Sequence, residues 1–210
     1  MEDARAVELD TRYVLPEYSD GVSEACPLDF HSPYGCSKGA ADQYVRDYAR
    51  IYGLRSVVFR QSCIYGPRQM GVEDQGWVAW FIIAAVTGKP ITIYGNGKQV
   101  RDLLYVDDLV RAFQMATEQI DKTAGRVYNL GGGPDNTLSV WAEFGPLLDE
   151  LFGRDAIPVQ FSDWRPGDQP VFIADVSKAK REFGWMPQVS VREGIGHLVD
   201  WVKDNRELFV

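Results

Sequence analysis

The sequence contains few of the residues that build disulfide frameworks or metal centres. It has three cysteines (Cys26, Cys36 and Cys63) and two histidines (His31 and His197) among 210 residues. The cysteines are odd in number and none forms a C-x-x-C pair, which argues against a disulfide framework and a zinc site. Because the two histidines lie far apart in the chain, we also expect no histidine-based metal site.

The sequence also lacks an excess of positive charge and long apolar runs. Its formal net charge is −8, so nucleic acids and anionic membranes are poor candidates as partners. No apolar run is long enough to cross a bilayer, and residues 1–5 lack the apolar core of a secretory signal. Hydrophobic residues make up 45% and charged residues 25%, as in ordinary soluble proteins. We therefore expect a cytoplasmic protein.

A further absence is the glycine fingerprint of dinucleotide-binding folds, which open with a strand, the motif G-x-G-x-x-G and a helix. The glycine clusters of this sequence are Gly95-Asn96-Gly97 and residues 131–133, and neither has that spacing. We assign the second cluster to a turn after a strand. If the protein binds NAD, the part that holds the pyrophosphate is expected to lie outside this sequence.

Strands and helices are predicted to alternate along the chain. Apolar patterns predict strands at residues 55–60, 91–94 and 127–130, and helices at residues 77–86, 138–151 and 191–202. This alternation favours an α/β fold with parallel strands. Residues 1–32 show no sustained periodicity, and so long an irregular arm leads us to expect a preceding segment.

The most informative feature that is present is a tyrosine followed four residues later by a lysine. A helix is predicted from about Ser37 to Tyr52, ending at Gly53. Tyr34 and Lys38 stand at its start, where residues four apart share one face. A nearby ammonium group favours the phenolate form of a tyrosine, so the pair suits proton transfer. For the spacing alone, a chance surface pair is the simpler explanation.

Further motifs follow the pair and change that interpretation. They are residues 59–68 (FRQSCIYGPR), 93–97 (IYGNG), 101–108 (RDLLYVDD) and 165–168 (RPGD). In this order they resemble the extended short-chain dehydrogenase/reductase family of NAD-dependent nucleotide-sugar epimerases and dehydratases. The resemblance covers nearly the whole chain and aligns it with the later part of the family's sequence.

Within the family, the chain most resembles isomerases that invert carbon 2 of a CDP-linked sugar. Residues 28–31, 34–44, 74–77 and 95–102 carry this resemblance. It implies the C-terminal part of a Rossmann-like parallel sheet with a small mixed α/β substrate-binding lobe. Residues 1–70 would be the remainder of the Rossmann-like domain, and residues 71–210 mainly the lobe. It also implies a homo-oligomer that serves carbohydrate biosynthesis, including that of lipopolysaccharide.

The resemblance implies NAD as the cofactor and assigns residues to it. Tyr34 would be the acid/base at the sugar hydroxyl, and Lys38 would hold the nicotinamide ribose. Cys63 and Ile64 would lie beside the nicotinamide. The sugar would be oxidised transiently to a ketone, which receives the hydride back on its other face. The family's serine or threonine upstream of the tyrosine ends a strand, and no residue before Tyr34 fits that pattern.

The resemblance also assigns residues to the nucleotide-sugar substrate. Arg101 and Arg165 would bind the diphosphate, because a planar guanidinium suits bidentate contact with phosphate oxygens. Asp168 would contact a ribose hydroxyl of the nucleotide. Gln75 and Trp77 would lie near the sugar or the diphosphate.

Structural and functional alternatives remain open at this point. The structural ones are ion pairs between Arg165 and Asp168 and between Arg101 and Asp102, and a plain core position for Trp77. The functional ones are another epimerase, a dehydratase or a reductase of the same family, or an inert fragment that only binds a nucleotide sugar or a partner subunit. A dehydratase would need extra acids beside the tyrosine, and Asp29 is the only near candidate.

Overall fold

The computed structural model describes residues 5–153 and 157–209 and shows the predicted α/β fold. Its helices are α1 (Pro33–Tyr52), α2 (Trp77–Thr87), α3 (Val106–Glu118), α4 (Ile120–Thr123), α5 (Phe144–Phe152), α6 (Ser177–Phe183) and α7 (Val191–Asp204). Its strands are β1 (Val7–Glu8), β2 (Tyr13–Val14), β3 (Val58–Gln61), β4 (Cys63–Tyr65), β5 (Ile91–Tyr94), β6 (Val100–Tyr105), β7 (Val127–Leu130), β8 (Thr137–Ser139), β9 (Val159–Ser162) and β10 (Val171–Phe172). Among the described helices, none combines the length and apolar character that a membrane crossing needs.

Most strand pairs are parallel, as the alternation of elements predicts. The pairs β3–β7, β4–β6, β5–β9 and β6–β10 are parallel, whereas β1–β2 and β6–β8 are antiparallel. Strand β6 therefore connects β4, β8 and β10 in one sheet. Strands from residues 1–70 and from residues 71–210 pair with each other, and the domain boundary near residue 70 stays a prediction.

Two hydrophobic clusters form the core. The first surrounds α2, whose residues are apolar on all sides, and includes the inner face of α7. The second contains Leu104, Tyr128, Leu130, Phe183 and Trp185, all buried. Full burial of a side chain such as leucine or phenylalanine contributes roughly 1.5–3 kcal/mol. These clusters fix β4 and β6, and with them the loops that form the candidate site.

Helix α1 begins four residues earlier than the sequence predicts. The backbone N–H of Gly35 donates to the Ser32 hydroxyl at 3.0 Å, and Pro33 occupies the first helical turn. A serine cap followed by proline is a favoured helix start. The helix ends at Gly53, whose φ of 67° is the left-handed conformation that glycine adopts readily. Tyr34 and Lys38 therefore both lie inside the helix.

The strand and helix predictions are otherwise right in type and differ at some boundaries. The strands at residues 91–94 and 127–130 are confirmed, and that at residues 55–60 is shifted to Val58–Gln61. The helix predicted over residues 138–151 is wrong at its start, because residues 137–139 form β8 and α5 begins only at Phe144. There the Ser139 hydroxyl accepts from the Glu143 N–H at 2.8 Å, which turns the chain between the two elements.

The arm before α1 is more ordered than predicted within the described residues, and residues 1–4 of that prediction lie outside them. Strands β1 and β2 form a short hairpin. Arg12 donates through Nε and Nη2 to the two carboxylate oxygens of Glu143, both at 2.7 Å. Lys98 Nζ lies 2.8 Å from Glu8 Oε1. The arm is thus fixed to a segment more than a hundred residues away in the sequence.

Candidate active site

The tyrosine–lysine pair lies on the first two turns of α1. Lys38 Nζ is 5.4 Å from the centre of the Tyr34 ring, so the two side chains share one face, as predicted. Tyr34 is 71% exposed. Both residues line an open groove between α1 and β3, which we call the α1–β3 groove. The catalytic role of the pair stays a prediction.

The walls of the α1–β3 groove are held by one close packing contact and one ion pair. A Cβ atom at Gly39 would overlap the ring of Phe30, so glycine lets the arm pack directly on the helix. Arg60 Nε on β3 donates to Asp42 Oδ2 on α1 at 2.7 Å. Asp42 is nearly buried, so this ion pair fixes the helix against the strand.

A second cavity contains the predicted diphosphate ligands, and we call it the arginine cavity. Strands β5 and β6, the start of α2 and the loop before β10 form its walls. It is lined by Glu73, Trp77, Phe81, Thr92, Tyr94, Gln99, Arg101, Val140, Arg165 and Asp168. The structure therefore brings together four of the five predicted substrate residues.

Arg101 is a partly buried cation that lines the arginine cavity. Burial lowers the pKa of its guanidinium, and the negative charge of Asp168 partly opposes this. Arg101 Nη1 donates to the Val100 carbonyl at 2.8 Å, and none of the ion pairs within residues 5–153 and 157–209 includes Arg101. A buried charge without a partner is costly. An anionic ligand would supply the missing charge.

Arg165 stacks on an aromatic ring at the entrance of the same cavity. Its guanidinium carbon lies 3.8 Å from the centre of the Tyr94 ring. Arg165 Nη2 donates to Asp74 Oδ1 at 3.1 Å, so the predicted alternative of an ion pair with Asp168 is wrong. Asp168 instead closes a turn, its backbone N–H donating to the Arg165 carbonyl at 3.1 Å. The Asp168 carboxylate is left exposed at the cavity wall.

Asp102 does not pair with Arg101, and that alternative is also wrong. The buried Asp102 carboxylate accepts from the Ser62 hydroxyl and from the Gly133 N–H. Burial raises its pKa, and these hydrogen bonds oppose the shift. A Cβ atom at Gly131 would overlap Asp102 Oδ2. The glycines at residues 131–133 therefore form the turn after β7 that was predicted, closed around a carboxylate of the fold.

Cys63 and Trp77 lie beside Arg101. Burial raises the pKa of the Cys63 thiol to about 12, and the nearby Asp102 carboxylate adds to this, while Arg101 and a hydrogen bond with Trp77 act in the opposite direction. The Trp77 ring packs edge to face on Phe144, with centroids 5.4 Å apart. Trp77 thus contributes to the core and also lines the arginine cavity.

Two other predicted site residues lie away from these cavities. Ile64 packs against the second hydrophobic cluster, on the opposite face of β4 from Cys63. Gln75 is exposed in a tight turn, where the Val72 N–H donates to its carbonyl at 2.9 Å. Neither lines the α1–β3 groove or the arginine cavity. Their roles at the cofactor and the substrate stay predictions.

A third cavity lies between the first two, and we call it the bridging cavity. It shares Arg165 and Asp168 with the arginine cavity. It shares Leu28, Phe30 and Arg60 with the α1–β3 groove and reaches Gly35 on the first turn of α1. A ligand held by the arginines can therefore extend toward the tyrosine helix.

Sequence reasoning missed several polar groups that shape the site. Gln99 and Tyr94 line the arginine cavity, and Asp74 holds Arg165. Tyr94 and Gln99 flank the Gly95-Asn96-Gly97 turn, which was the only available sign of them. Nothing in the sequence indicates that Asp74 meets a residue ninety-one positions later.

Comparison with known proteins agrees with this geometry. Residues 3–131 match the family described as the NAD dependent epimerase/dehydratase family. The chain belongs to this family. The match includes the tyrosine helix and the segment that carries Arg101, whereas the motif at residues 165–168 lies beyond the matched residues.

Members of the family resemble the chain over most of its length. CDP-paratose 2-epimerase of Salmonella typhi is 44% identical to this chain. The alignment covers 96% of this chain and 60% of that protein. The structure of UDP-glucose 4-epimerase from Thermotoga maritima with UDP-glucose matches with a TM-score of 0.80 and 36% identity, over 89% of this chain and 58% of that one. The UDP-glucuronic acid 4-epimerase of Bacillus cereus, solved with UDP-glucuronic acid and NAD, gives a TM-score of 0.76 and 30% identity, over 88% and 56%. The chain thus spans about 60% of the length of its relatives.

Proposed function

We propose that this chain forms the substrate-binding part, with the tyrosine helix, of an NAD-dependent epimerase that inverts carbon 2 of a CDP-linked sugar. The observation that carries the proposal is Arg101, a partly buried cation that belongs to none of the described ion pairs and lies in a cavity connected to the start of α1 through the bridging cavity. The similarity to a CDP-paratose 2-epimerase supports the choice of base and carbon atom.

The arginine cavity suits the nucleoside diphosphate. Arg101 and Arg165 each present a planar guanidinium, which donates paired hydrogen bonds to phosphate oxygens. The exposed Asp168 carboxylate accepts hydrogen bonds from ribose hydroxyls. The hexose then extends through the bridging cavity toward α1. In this arrangement the two ends of the substrate are held by different sets of side chains.

Tyr34 acts on the proton of the sugar hydroxyl in this proposal. Its phenol oxygen accepts the proton as the hydroxyl is oxidised and returns it after inversion. Lys38 lies on the same helix face, with Nζ 5.4 Å from the centre of the Tyr34 ring. When bound, NAD supplies the oxidising chemistry that the side chains lack.

The residues of the chain fit one end of NAD. Lys38 lines the α1–β3 groove, where its ammonium can donate to ribose hydroxyls. The pyrophosphate has no matching cradle among the described glycine turns. Residues 131–133 are closed around Asp102, and Gly95 is covered by the Trp164 ring. The fit is therefore confined to the nicotinamide–ribose end.

The proposal includes a homo-oligomer. Helix α1 exposes Tyr44, Tyr48 and Ile51, which are 69%, 51% and 61% exposed. Apolar surface of this extent on one helix is a common interaction site. We also propose a cytoplasmic enzyme of carbohydrate biosynthesis, because its substrate would be a nucleotide-activated sugar.

The proposal is tested with CDP-paratose, NAD and two tyrosine variants. Inversion at carbon 2 is followed by proton NMR, and binding by isothermal titration calorimetry. Tyr34→Phe should bind CDP-paratose as the parent does and should lose at least about 100-fold in rate, the usual contribution of a positioned acid/base. Tyr52→Phe changes an exposed tyrosine at the other end of α1 and should retain full activity. Failure of the parent chain to bind CDP-paratose would refute the proposal.

A second candidate is a chain that binds the nucleotide sugar without converting it. The absence of a pyrophosphate cradle in the described glycine turns favours this candidate. It predicts CDP-paratose binding that depends on Arg101, with no inversion when NAD is added. The same pair of measurements therefore separates the two functions.

A further inference from the structure

One buried amide in the arginine cavity has an acceptor atom without a donor. Gln99 precedes β6 and is 3% exposed. Its Nε2 donates to the Tyr94 carbonyl at 2.6 Å. A carbonyl oxygen only accepts, so the amide nitrogen must face Tyr94. Oε1 then points away from Tyr94, and it is buried with no hydrogen-bond partner among the described residues.

The orientation of this amide is fixed by the turn that covers it. A Cβ atom at Gly95 would overlap Gln99 Nε2 and would lie 3.0 Å from the Trp164 ring. The amide is thus packed below the turn and cannot exchange its two ends without losing the bond to Tyr94. Gln99 and Arg101 lie two positions apart, so their side chains leave the same face of the chain, and both line the arginine cavity.

Neither guanidinium that lines this cavity donates to Oε1. Arg101 Nη1 donates to the Val100 carbonyl at 2.8 Å, Arg165 Nη2 donates to Asp74 at 3.1 Å, and Oε1 has no donor among the described residues. A buried acceptor left without a donor is unfavourable. A ligand that brings an N–H or O–H group to Oε1 should therefore bind more tightly than a ligand that brings another acceptor.

The position of Gln99 indicates which part of the ligand it meets. The hexose extends through the bridging cavity, which Gln99 does not line. Phosphate oxygens accept hydrogen bonds, as Oε1 does, so the diphosphate belongs with Arg101 and Arg165. Thr92 and Gln99 line the arginine cavity as well. The nucleoside is the part of the substrate left for Gln99.

We propose that Gln99 Oε1 accepts a hydrogen bond from the nucleoside of the bound substrate and thereby sets nucleotide specificity. The inference rests on the proposed function, because it takes the arginine cavity as the nucleotide site. The donor is either the exocyclic amine of cytosine or a ribose hydroxyl. Both present a donor where a phosphate or a carbonyl oxygen would present only an acceptor.

The test measures ligand selectivity in Gln99→Met, which keeps the length of the side chain and removes the amide. Dissociation constants are determined by calorimetry for CDP, for the pyrimidin-2-one analogue without the amine, and for the 2′- and 3′-deoxy forms of CDP. The parent chain should bind CDP about tenfold more tightly than the analogue that lacks the recognised donor. In Gln99→Met that ratio should fall to near one. Gln114→Met, on the exposed face of α3, should leave it unchanged.

The outcomes show whether the donor belongs to the base or to the ribose, and they distinguish failure of this inference from failure of the proposed function. A ratio that falls only for the pyrimidin-2-one analogue assigns the donor to the base, and one that falls only for a deoxy form assigns it to the ribose. Equal weakening of all four ligands would show a merely structural role and overturn the inference. If the parent chain binds no nucleotide, the proposed function itself fails. Should Gln99→Met not fold, the same ratios are measured in Gln99→Leu, which also removes the amide; the ratio should again fall to near one, and a ratio equal to that of the parent would overturn the inference.

Discussion

Replacing Arg101 with methionine should weaken nucleotide binding without destabilising the protein. Methionine keeps an unbranched apolar stem and removes the guanidinium. The cation is partly buried, burial lowers its pKa, and its hydrogen bond among the described residues runs from Nη1 to the Val100 carbonyl. The side chain is therefore placed for an anionic ligand, and the fold gains little from its charge.

Two opposing contributions set the expected stability change. Losing the hydrogen bond to Val100 costs about 1 kcal/mol. Removing a partly buried cation that forms no ion pair recovers only part of a full desolvation penalty, about 1–2 kcal/mol. The free energy of unfolding should thus stay level or rise by about 1 kcal/mol. Hydrogen bonds to charged groups contribute about 1.5–3 kcal/mol, so CDP affinity should fall roughly 10- to 150-fold.

Urea unfolding and calorimetric titration with CDP measure the two effects. Arg111→Met is the matched control, because Arg111 Nη2 donates at 2.5 Å to Asp108, a buried carboxylate outside the three cavities. That variant should lose about 1–3 kcal/mol of unfolding free energy and keep its CDP affinity. If Arg101→Met were destabilised as much as Arg111→Met while binding CDP normally, Arg101 would be a structural residue and the anion-site reasoning would be refuted.

Three further predictions concern single positions. The pKa of the Cys63 thiol is raised to about 12, so its thiolate fraction is negligible at pH 8 and grows only at strongly alkaline pH. Mass-spectrometric mapping after iodoacetamide treatment at pH 8 should therefore find the exposed Cys36 modified and Cys63 intact. Gly131→Ala places a methyl group on a buried carboxylate and should lower the unfolding free energy by about 1–3 kcal/mol, whereas Gly196→Ala in α7 meets no atom and should raise it by about 0.5–1 kcal/mol; equal effects in urea unfolding would contradict the packing described. Asp74→Asn releases the stacked arginine from an exposed ion pair and should tighten CDP binding up to about fivefold, the measured range for such pairs; weaker binding in calorimetry would show that Asp74 positions the arginine.

The sequence was most informative where local pattern and tertiary structure agree. The strands Ile91–Tyr94 and Val127–Leu130 consist of apolar, β-branched or aromatic residues apart from Asn129, and both were predicted at their observed bounds. The start of α1 was placed too late, although the Ser32 cap and the following proline were visible in the sequence. Strands β8 and β10 have only three and two residues, and their pairing with β6 depends on distant parts of the chain.

Some features of the candidate site could be predicted from the sequence and others could not. Motif order was sufficient to predict that Arg101, Arg165 and Asp168 meet, since the family resemblance covers all three. Ion-pair partners were not predictable, because Arg165 meets Asp74 only through the fold. The unpartnered Oε1 of Gln99 also has no sequence signature, since it depends on which way one amide is packed.

The contact between Arg12 and Glu143 bears on the order of folding during synthesis. The two residues are 131 positions apart, so the hairpin leaves the ribosome well before its docking site has been translated. At about 5–20 residues per second, the delay is roughly 7–26 seconds. Through that interval Arg12 cannot form its contact with Glu143, so the hairpin can dock only after residue 143 has been synthesised.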